Sequence, residues 1–335
     1  MWKAVRLNAT TYPVNPAEVL ELEQAGATLV AIEGEQPAEI VSAAGDCDAL
    51  LVVSGRLPAE VIASLKKCRV IARLGAGTDK IDVMAATKAG IVVSNVPDFC
   101  IGEQADHTML LLLAMARRLP YMTAAMRRGD WSARHHPDVH RVAGQTLGLI
   151  GFGASAQAVA QRATAFGLRV IAWTRTPARY QVAATRWQVE FQELDQLLSQ
   201  ADYVSLHLPL NSETHHLLDA RRLALLKPSA VLINTARGAL VDEAALVAML
   251  RTGLLGGAGL DVFEAIDVFS LSSSPPRHEL LNLENVILTP HCAGSSVEST
   301  LDSKSRGARH AAEVLLGNWP RHVVNPEVVP RFPLR

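Results

Sequence analysis

Apolar and polar positions along the chain follow two periods. Short apolar runs at 3–7, 27–32, 49–53, 70–74 and 91–94 predict buried strands. Helical patterns at 16–24, 38–44, 58–67 and 81–89 separate them, the first with Asn15 as its N-cap and Pro16 in its first turn. Residues 102–119 read as one long helix, apolar through 110–113 and therefore buried. From Thr146 the alternation resumes, with strands at 147–150, 169–173, 203–206, 230–234, 257–260 and 286–288. An alanine-rich helix over 155–166 falls between the first two, and a helix at 296–316 closes the chain. Strands that alternate with helices imply parallel sheets joined by crossovers. The fold class expected is α/β, with two doubly wound parallel-sheet domains.

Composition supports that expectation. At 335 residues, nearly half of them apolar and 5% aromatic, the chain suits two domains with large aliphatic cores. The formal charge of −1 points to neither a nucleic-acid nor a membrane-surface partner. The longest apolar run, 109–116, is too short to span a bilayer, and the amino terminus lacks a signal-peptide core. Cys47, Cys68, Cys100 and Cys292 show no C-x-x-C spacing, so thiols in a reducing cytoplasm are expected. The basic segment 120–142 carries His135, His136 and His140, but no carboxylate or cysteine completes a ligand set. A solvated or subunit-contacting arm is the expectation there, and no metal.

The chemistry enters at Gly151-Phe-Gly153-Ala154-Ser155-Ala156, between the strand at 147–150 and the alanine-rich helix. This matches the G-x-G-x-x-G/A dinucleotide fingerprint in its strand–helix–strand context. Gly151 allows the sharp turn, Gly153 leaves room for a pyrophosphate, and Ala156 lets helix and strand approach. The N–H groups and dipole of the first helical turn then face the phosphates. An acid about 20 residues further on normally binds the ribose of NAD. Here that place holds Thr174 and Arg175, and Arg175 can pair with a 2′-phosphate. The cofactor expected is therefore NADP or NAD, with NADP favoured; the plainer reading of Arg175 is a solvated loop residue. Two further strand ends offer polar groups. Arg237 follows the strand at 230–234, and His291 follows the strand at 286–288, on the edge where open α/β sheets bind ligands. Asp261 ends a third strand, where a turn cap is the alternative role.

At these residues the chain resembles the NAD(P)-dependent D-2-hydroxyacid dehydrogenases, the family of phosphoglycerate dehydrogenases, glyoxylate/hydroxypyruvate reductases and related corepressors. The matching stretches are Ala72–Asp82, Asn95–Asp98, Ala105–Thr108, Gly144–Gly153, Val204–Pro209, Asn234–Glu243, Gly259–Glu264 and Asn285–His291, in family order. The resemblance implies a Rossmann cofactor domain (102–294) inserted into a discontinuous flavodoxin-like substrate domain (1–101 plus 295–335), with the active site in the cleft. It implies that Arg237 binds the substrate carboxylate together with the N–H groups of Ala76 and Gly77. It makes His291 the general acid and base. Asp261 matches the residue that holds the nicotinamide carboxamide. Thr108, His207, Pro209, Thr235, Ala236 and Gly294 match positions lining the cofactor, beside Gly151, Gly153, Ala154 and Ser155. A homodimer through the segment near 119–142 is implied as well.

Three departures stand out. The family's glutamate partner of the histidine falls at Ile266 in this chain, flanked by Glu264 and Asp267, either of which could take its place. Ala154-Ser155 replaces a larger, often basic residue followed by isoleucine. Thr174-Arg175 replaces the ribose acid. The activity expected is hydride transfer between NAD(P)H and a small 2-keto or D-2-hydroxy acid. The alternative is a nucleotide-sensing, corepressor-like protein with little turnover. Arg56 is either a contact for a second anionic group or a surface residue, so the particular hydroxy acid is left open.

Overall fold

A computed structural model describes residues 1–34, 36–135, 139–265 and 277–335. The chain divides into two compact units, Met1–Cys100 with Ser296–Arg335, and Ile101–Ser295.

The first unit holds strands β1 (Trp2–Leu7), β2 (Ala27–Ile32), β3 (Ala49–Val52), β4 (Val70–Arg73) and β5 (Val92–Ser94). They pair in parallel in the order β2-β1-β3-β4-β5, the flavodoxin-like order. Both faces of this sheet are covered. Leu50 and Ile71 enter one core with Ile62, while Leu51 and Ala72 enter the other with Ala308 and Ala311. Neighbouring residues on one strand thus both meet apolar partners, which is why these strands read as continuous rather than alternating apolar runs. The helix Val297–Leu315, capped by the Ser296 hydroxyl at the Ser299 N–H, packs on the second core. Beyond it the carboxyl-terminal segment seals the edge at β5. Val324 N–H donates to Val93, and the buried Asn325 side chain accepts from Val93 N–H and donates to the Ile91 carbonyl. A parallel sheet needs such cover at its edge.

A buried ion pair ties β1 to the helix Pro16–Gln24. Arg6 Nε donates to Glu18 at 2.9 Å, and neither side chain meets solvent. The other Glu18 oxygen accepts the Asn15 N–H in the capping box that starts the helix. Two further Arg6 donors go to the carbonyls of Leu7 and Tyr12.

The second unit holds β6 (Thr146–Ile150), β7 (Arg169–Trp173), β8 (Glu190–Phe191), β9 (Tyr203–Leu206), β10 (Val231–Asn234), β11 (Gly257–Leu260) and β12 (Val286–Leu288). Their order is β12-β11-β10-β9-β6-β7-β8, all parallel, with the chain reversing direction across the sheet between β6 and β9. This is the doubly wound dinucleotide-binding arrangement, extended by one strand. The helix Ala154–Ala165 buries Ala156, Val159, Ala160 and Ala163, a stripe at spacings of three and four.

The single helix expected over 102–119 is present and stops three residues short of that range. Ile101–Ala116 ends before Arg118, whose φ of +50° is left-handed, and Leu119–Arg127 begins anew with Pro120 in its first turn. Proline lacks the N–H that a continuing helix needs, so the chain turns within two residues of the expected end. Part of the arm expected at 120–142 is therefore helical. His135 accepts a bond from Arg134 Nε, and His136 lies outside the described residues. Among the described residues no helix is long and apolar enough to cross a membrane.

Breaking the Arg6–Glu18 pair leaves one charge buried alone. Glu18→Ala should therefore lose about 3–5 kcal/mol of stability, whereas Arg6→Met combined with Glu18→Leu should recover most of it. Chemical denaturation of the two variants measures this, and equal losses in both would show that the pair is not the cause.

Candidate active site

The switch in strand order between β6 and β9 opens a crevice at the carboxyl edge of the sheet, the place where such sheets bind ligands. Gly151 ends β6 there with φ +96°, and a Cβ at this position would lie 2.3 Å from the His207 carbonyl across the switch. Only glycine fits. At Gly153 a Cβ would meet nothing within 4 Å, so the backbone faces open space as the helix Ala154–Ala165 begins. No side chain caps the first turn of that helix. Free N–H groups, the positive end of the helix dipole and an open approach fit the pyrophosphate of a dinucleotide. Ala154 and Ser155 occupy this turn, and the Ser155 hydroxyl lies 3.3 Å from His207 Nδ1.

His207 itself is buried, with Nε2 2.9 Å from the Ser205 hydroxyl, and burial lowers its pKa to about 4. It is a neutral imidazole in the working range. Next to it, the Pro209 carbonyl accepts from Thr214, which shapes the turn after β9. Across the sheet the helix Ile101–Ala116 meets the end of β10. The Thr108 and Thr235 hydroxyls share a bond of 2.9 Å, and Gln104 Nε2 donates to the Thr235 carbonyl.

The turn after β10 is fixed by Asn234, which is almost fully buried. Its side chain accepts from Ala236 N–H and donates to the Arg237 carbonyl, closing Thr235, Ala236 and Arg237 into a tight loop. Arg237 has extended backbone (φ −145°, ψ 139°), and its Nη1 donates to the Ala236 carbonyl. Behind it, Gly238 lies against the next loop, where a Cβ would fall 1.9 Å from the Phe263 carbonyl carbon. The loops after β10 and β11 can touch only because residue 238 is glycine.

Asp261, one residue past β11, is wholly buried. Its carboxylate accepts from the Thr289 hydroxyl (2.6 Å), Cys292 N–H (2.9 Å) and Ala293 N–H (2.8 Å). Its carbonyl accepts the His291 N–H at 2.9 Å. These bonds hold His291 in a left-handed conformation (φ +55°), which costs a non-glycine residue of order 1–3 kcal/mol unless its surroundings enforce it. His107 extends the network. Its Nε2 lies 2.9 Å from Thr289 Oγ1, which itself donates to Asp261, so the imidazole donates to the threonine. Arg237, Asp261 and His291 thus follow three successive parallel strands on one edge, the outer two about 10 Å apart by strand spacing.

The remaining expected residues are placed as follows. Glu264 Oε1 accepts from His216 Nε2 at 2.7 Å, so that oxygen is engaged by the loop after β9. Asp267 and Ile266 lie outside the described residues. Thr174 and Arg175 follow β7; Arg175 is exposed and paired with Glu213. Gly294 follows the Asp261-bound Ala293. In the first unit, Ala76 and Gly77 follow β4. Their carbonyls accept from Asn95 Nδ2 and Arg73 Nε, and Arg56 is exposed. Sequence reasoning missed His107, Ser205, Asn234 and Thr289 as site builders. Each lies within two residues of a position it had singled out, but their partners come from other segments.

Residues 109–293 match the family model for the D-isomer specific 2-hydroxyacid dehydrogenase, NAD binding domain. A glyoxylate reductase of Thermococcus gammatolerans is 40% identical over 269 residues, 78% of each chain. A D-3-phosphoglycerate dehydrogenase of Methanocaldococcus jannaschii is 38% identical over 268 residues, 79% of this chain and 49% of that one. The crystal structure of a glyoxylate reductase from Paecilomyes thermophila superposes with a TM-score of 0.83 at 29% identity, covering 97% of this chain and 99% of that one. The chain belongs to the D-2-hydroxyacid dehydrogenases, NAD(P)-dependent enzymes of hydride transfer.

The burial of His207 has a measurable consequence. The folded pKa near 4 lies below the roughly 6.5 of an unfolded histidine, so the unfolded chain takes up the proton first as pH falls. Stability present above pH 6.5 should decline between about 6.5 and 4, by about 3 kcal/mol from this group. The decline should be shallower in His207→Asn. By NMR the His207 ring signals should stay constant from pH 8 to 5; titration near pH 6.5 would refute the burial argument.

Proposed function

We propose that this protein reduces a small 2-keto acid of the glyoxylate or hydroxypyruvate type to the D-2-hydroxy acid, with NADPH preferred over NADH. The observation that carries the reading is the delivery of Arg237 and His291 to one sheet edge, on either side of Asp261, beside a glycine turn shaped for a pyrophosphate. When bound in that crevice, the reduced nucleotide supplies the hydride. Gly153, Ala154 and Ser155 hold its pyrophosphate, while Thr108, His207, Pro209, Thr235, Ala236 and Gly294 line its path.

Arg237 grips the substrate carboxylate. A planar guanidinium does this bidentately, which orients the keto carbon and lets the same cation meet the charge that develops on the keto oxygen. His291, in its protonated form, donates to that oxygen as the alkoxide forms, and it takes the proton back in the oxidative direction. Asp261 keeps the imidazole in place through the turn it anchors, and presents its own loop to the nicotinamide carboxamide. Glu264 accepts from His216 in this structure; of the two acids that flank Ile266, this reading gives the role of orienting His291 to Asp267.

The cofactor preference rests on the end of β7. No acid stands at Thr174 or Arg175 to repel a 2′-phosphate. The Arg175–Glu213 pair is exposed, and pairs of that kind are worth no more than about 1 kcal/mol, so a phosphate dianion displaces Glu213 readily. Self-association through the segment 119–142 belongs to the same reading. Leu119, Tyr121, Met126 and Trp131 all expose apolar surface there, Trp131 to 68%.

Kinetics with glyoxylate, hydroxypyruvate, pyruvate and phosphohydroxypyruvate test the assignment. Arg237→Ala and His291→Ala should each lower kcat/KM by about 10²–10³, Arg237→Ala with the larger rise in KM. Asp267→Asn should lower kcat and move the pH profile, whereas Glu264→Gln should not. Tight nucleotide binding with no turnover of any keto acid would favour a nucleotide sensor instead.

With any productive substrate, NADPH should exceed NADH in kcat/KM by about tenfold, roughly 1.4 kcal/mol. Arg175→Ala should abolish that margin without harming NADH. A tenfold preference for NADH in the parent protein would overturn the cofactor assignment.

A further inference from the structure

In the loops that follow β9 and β11, two imidazoles and a carboxylate meet at one point. His216 Nε2 lies 2.7 Å and His215 Nε2 3.7 Å from the same oxygen, Glu264 Oε1, and all three donor atoms fall within 4.8 Å of one another. We propose that His215, His216 and Glu264 form a binding site for a borderline divalent transition-metal ion of the zinc, cobalt or nickel type.

Three observations carry this. The first is spacing. Tetrahedral zinc has bonds of about 2.0–2.1 Å, which sets its ligand atoms about 3.3 Å apart; the two measured separations bracket that value, and the stacked rings must rotate apart to aim both nitrogens at one ion. The second is that the ligands come from independently fixed segments. The His215–His216 turn is held by His216 N–H donating to the Ala239 carbonyl, with His216 left-handed (φ +48°) and the two rings stacked 4.0 Å apart. The Glu264 backbone is held by Glu243, whose carboxylate accepts both Glu264 N–H and Ala265 N–H and also pairs with His278. The third is chemistry. Two neutral imidazoles and one carboxylate select zinc-like ions over magnesium or calcium. Side-chain exposures of 54%, 35% and 30% leave the site open to solvent, with a coordination position for water.

A second cluster, His107, Asp261 and Cys292, meets the same distance test but not the chemical one. The Asp261 carboxylate is already occupied by Thr289 and two backbone N–H groups, and burial raises the Cys292 pKa, which keeps a thiol where a metal needs a thiolate.

Calorimetric titration of the full chain with Zn²⁺, and absorption spectra with Co²⁺, test the proposal. The expected result is one Zn²⁺ per chain, with affinity reduced at least about tenfold in His215→Ala, His216→Ala and Glu264→Gln, and unchanged in Cys292→Ala. Bound Co²⁺ should show d–d bands without thiolate-to-metal charge transfer. All three ligand residues are solvent-accessible, and matched circular-dichroism melts of the metal-free variants establish that they fold. Zinc binding unchanged in the three variants, binding lost in Cys292→Ala, or no binding at all would overturn the site.

Discussion

The buried carboxylate of Asp261 is the fixed point on which the second unit's site depends. A carboxylate without solvent must have its lone pairs filled, and here a threonine hydroxyl and two consecutive backbone N–H groups of the loop after β12 fill them. That demand folds the loop back over the end of β11 and imposes a left-handed backbone on His291. The strain is local; the hydrogen bonds that enforce it are charge-assisted and therefore strong. His107 adds a further link through Thr289, so the helix Ile101–Ala116 and the loop after β12 share one network.

Sheet polarity supplies the rest of the geometry. Because all seven strands run the same way, every carboxyl end lies on one edge, and residues far apart in sequence become neighbours with no further instruction. Gly151 and His207 meet across the switch between β6 and β9, while Gly238 and Phe263 meet across the loops after β10 and β11. In both places one chain segment rests directly on another's carbonyl, where any side chain would force them apart. The glycines therefore do different work from those in ordinary turns: they set how closely two loops can approach.

Much of this was legible in the sequence. The fold class followed from the alternation of apolar runs and helical patterns, because strands buried on both faces must be continuously apolar and so announce themselves. The fingerprint at Gly151–Ala156 was readable because its residues are contiguous and each has a local reason to be there. Arg237, Asp261 and His291 could be placed at strand ends for the same reason. Less legible were the short, weakly periodic elements, such as the helices Leu194–Gln200, Glu243–Arg251 and Leu119–Arg127.

By itself, then, the sequence determined the strongly periodic elements, the parallel architecture and the residues that follow the main strands, since these rest on periodicity and local backbone chemistry. Only the tertiary structure decided what each of those residues touches. It gave the Arg175 guanidinium to Glu213, Glu264 to His216 and His215, and the Asp261 carboxylate to a loop some thirty residues away. Such pairings join side chains from separate segments, and no spacing along the chain encodes a distance across a fold.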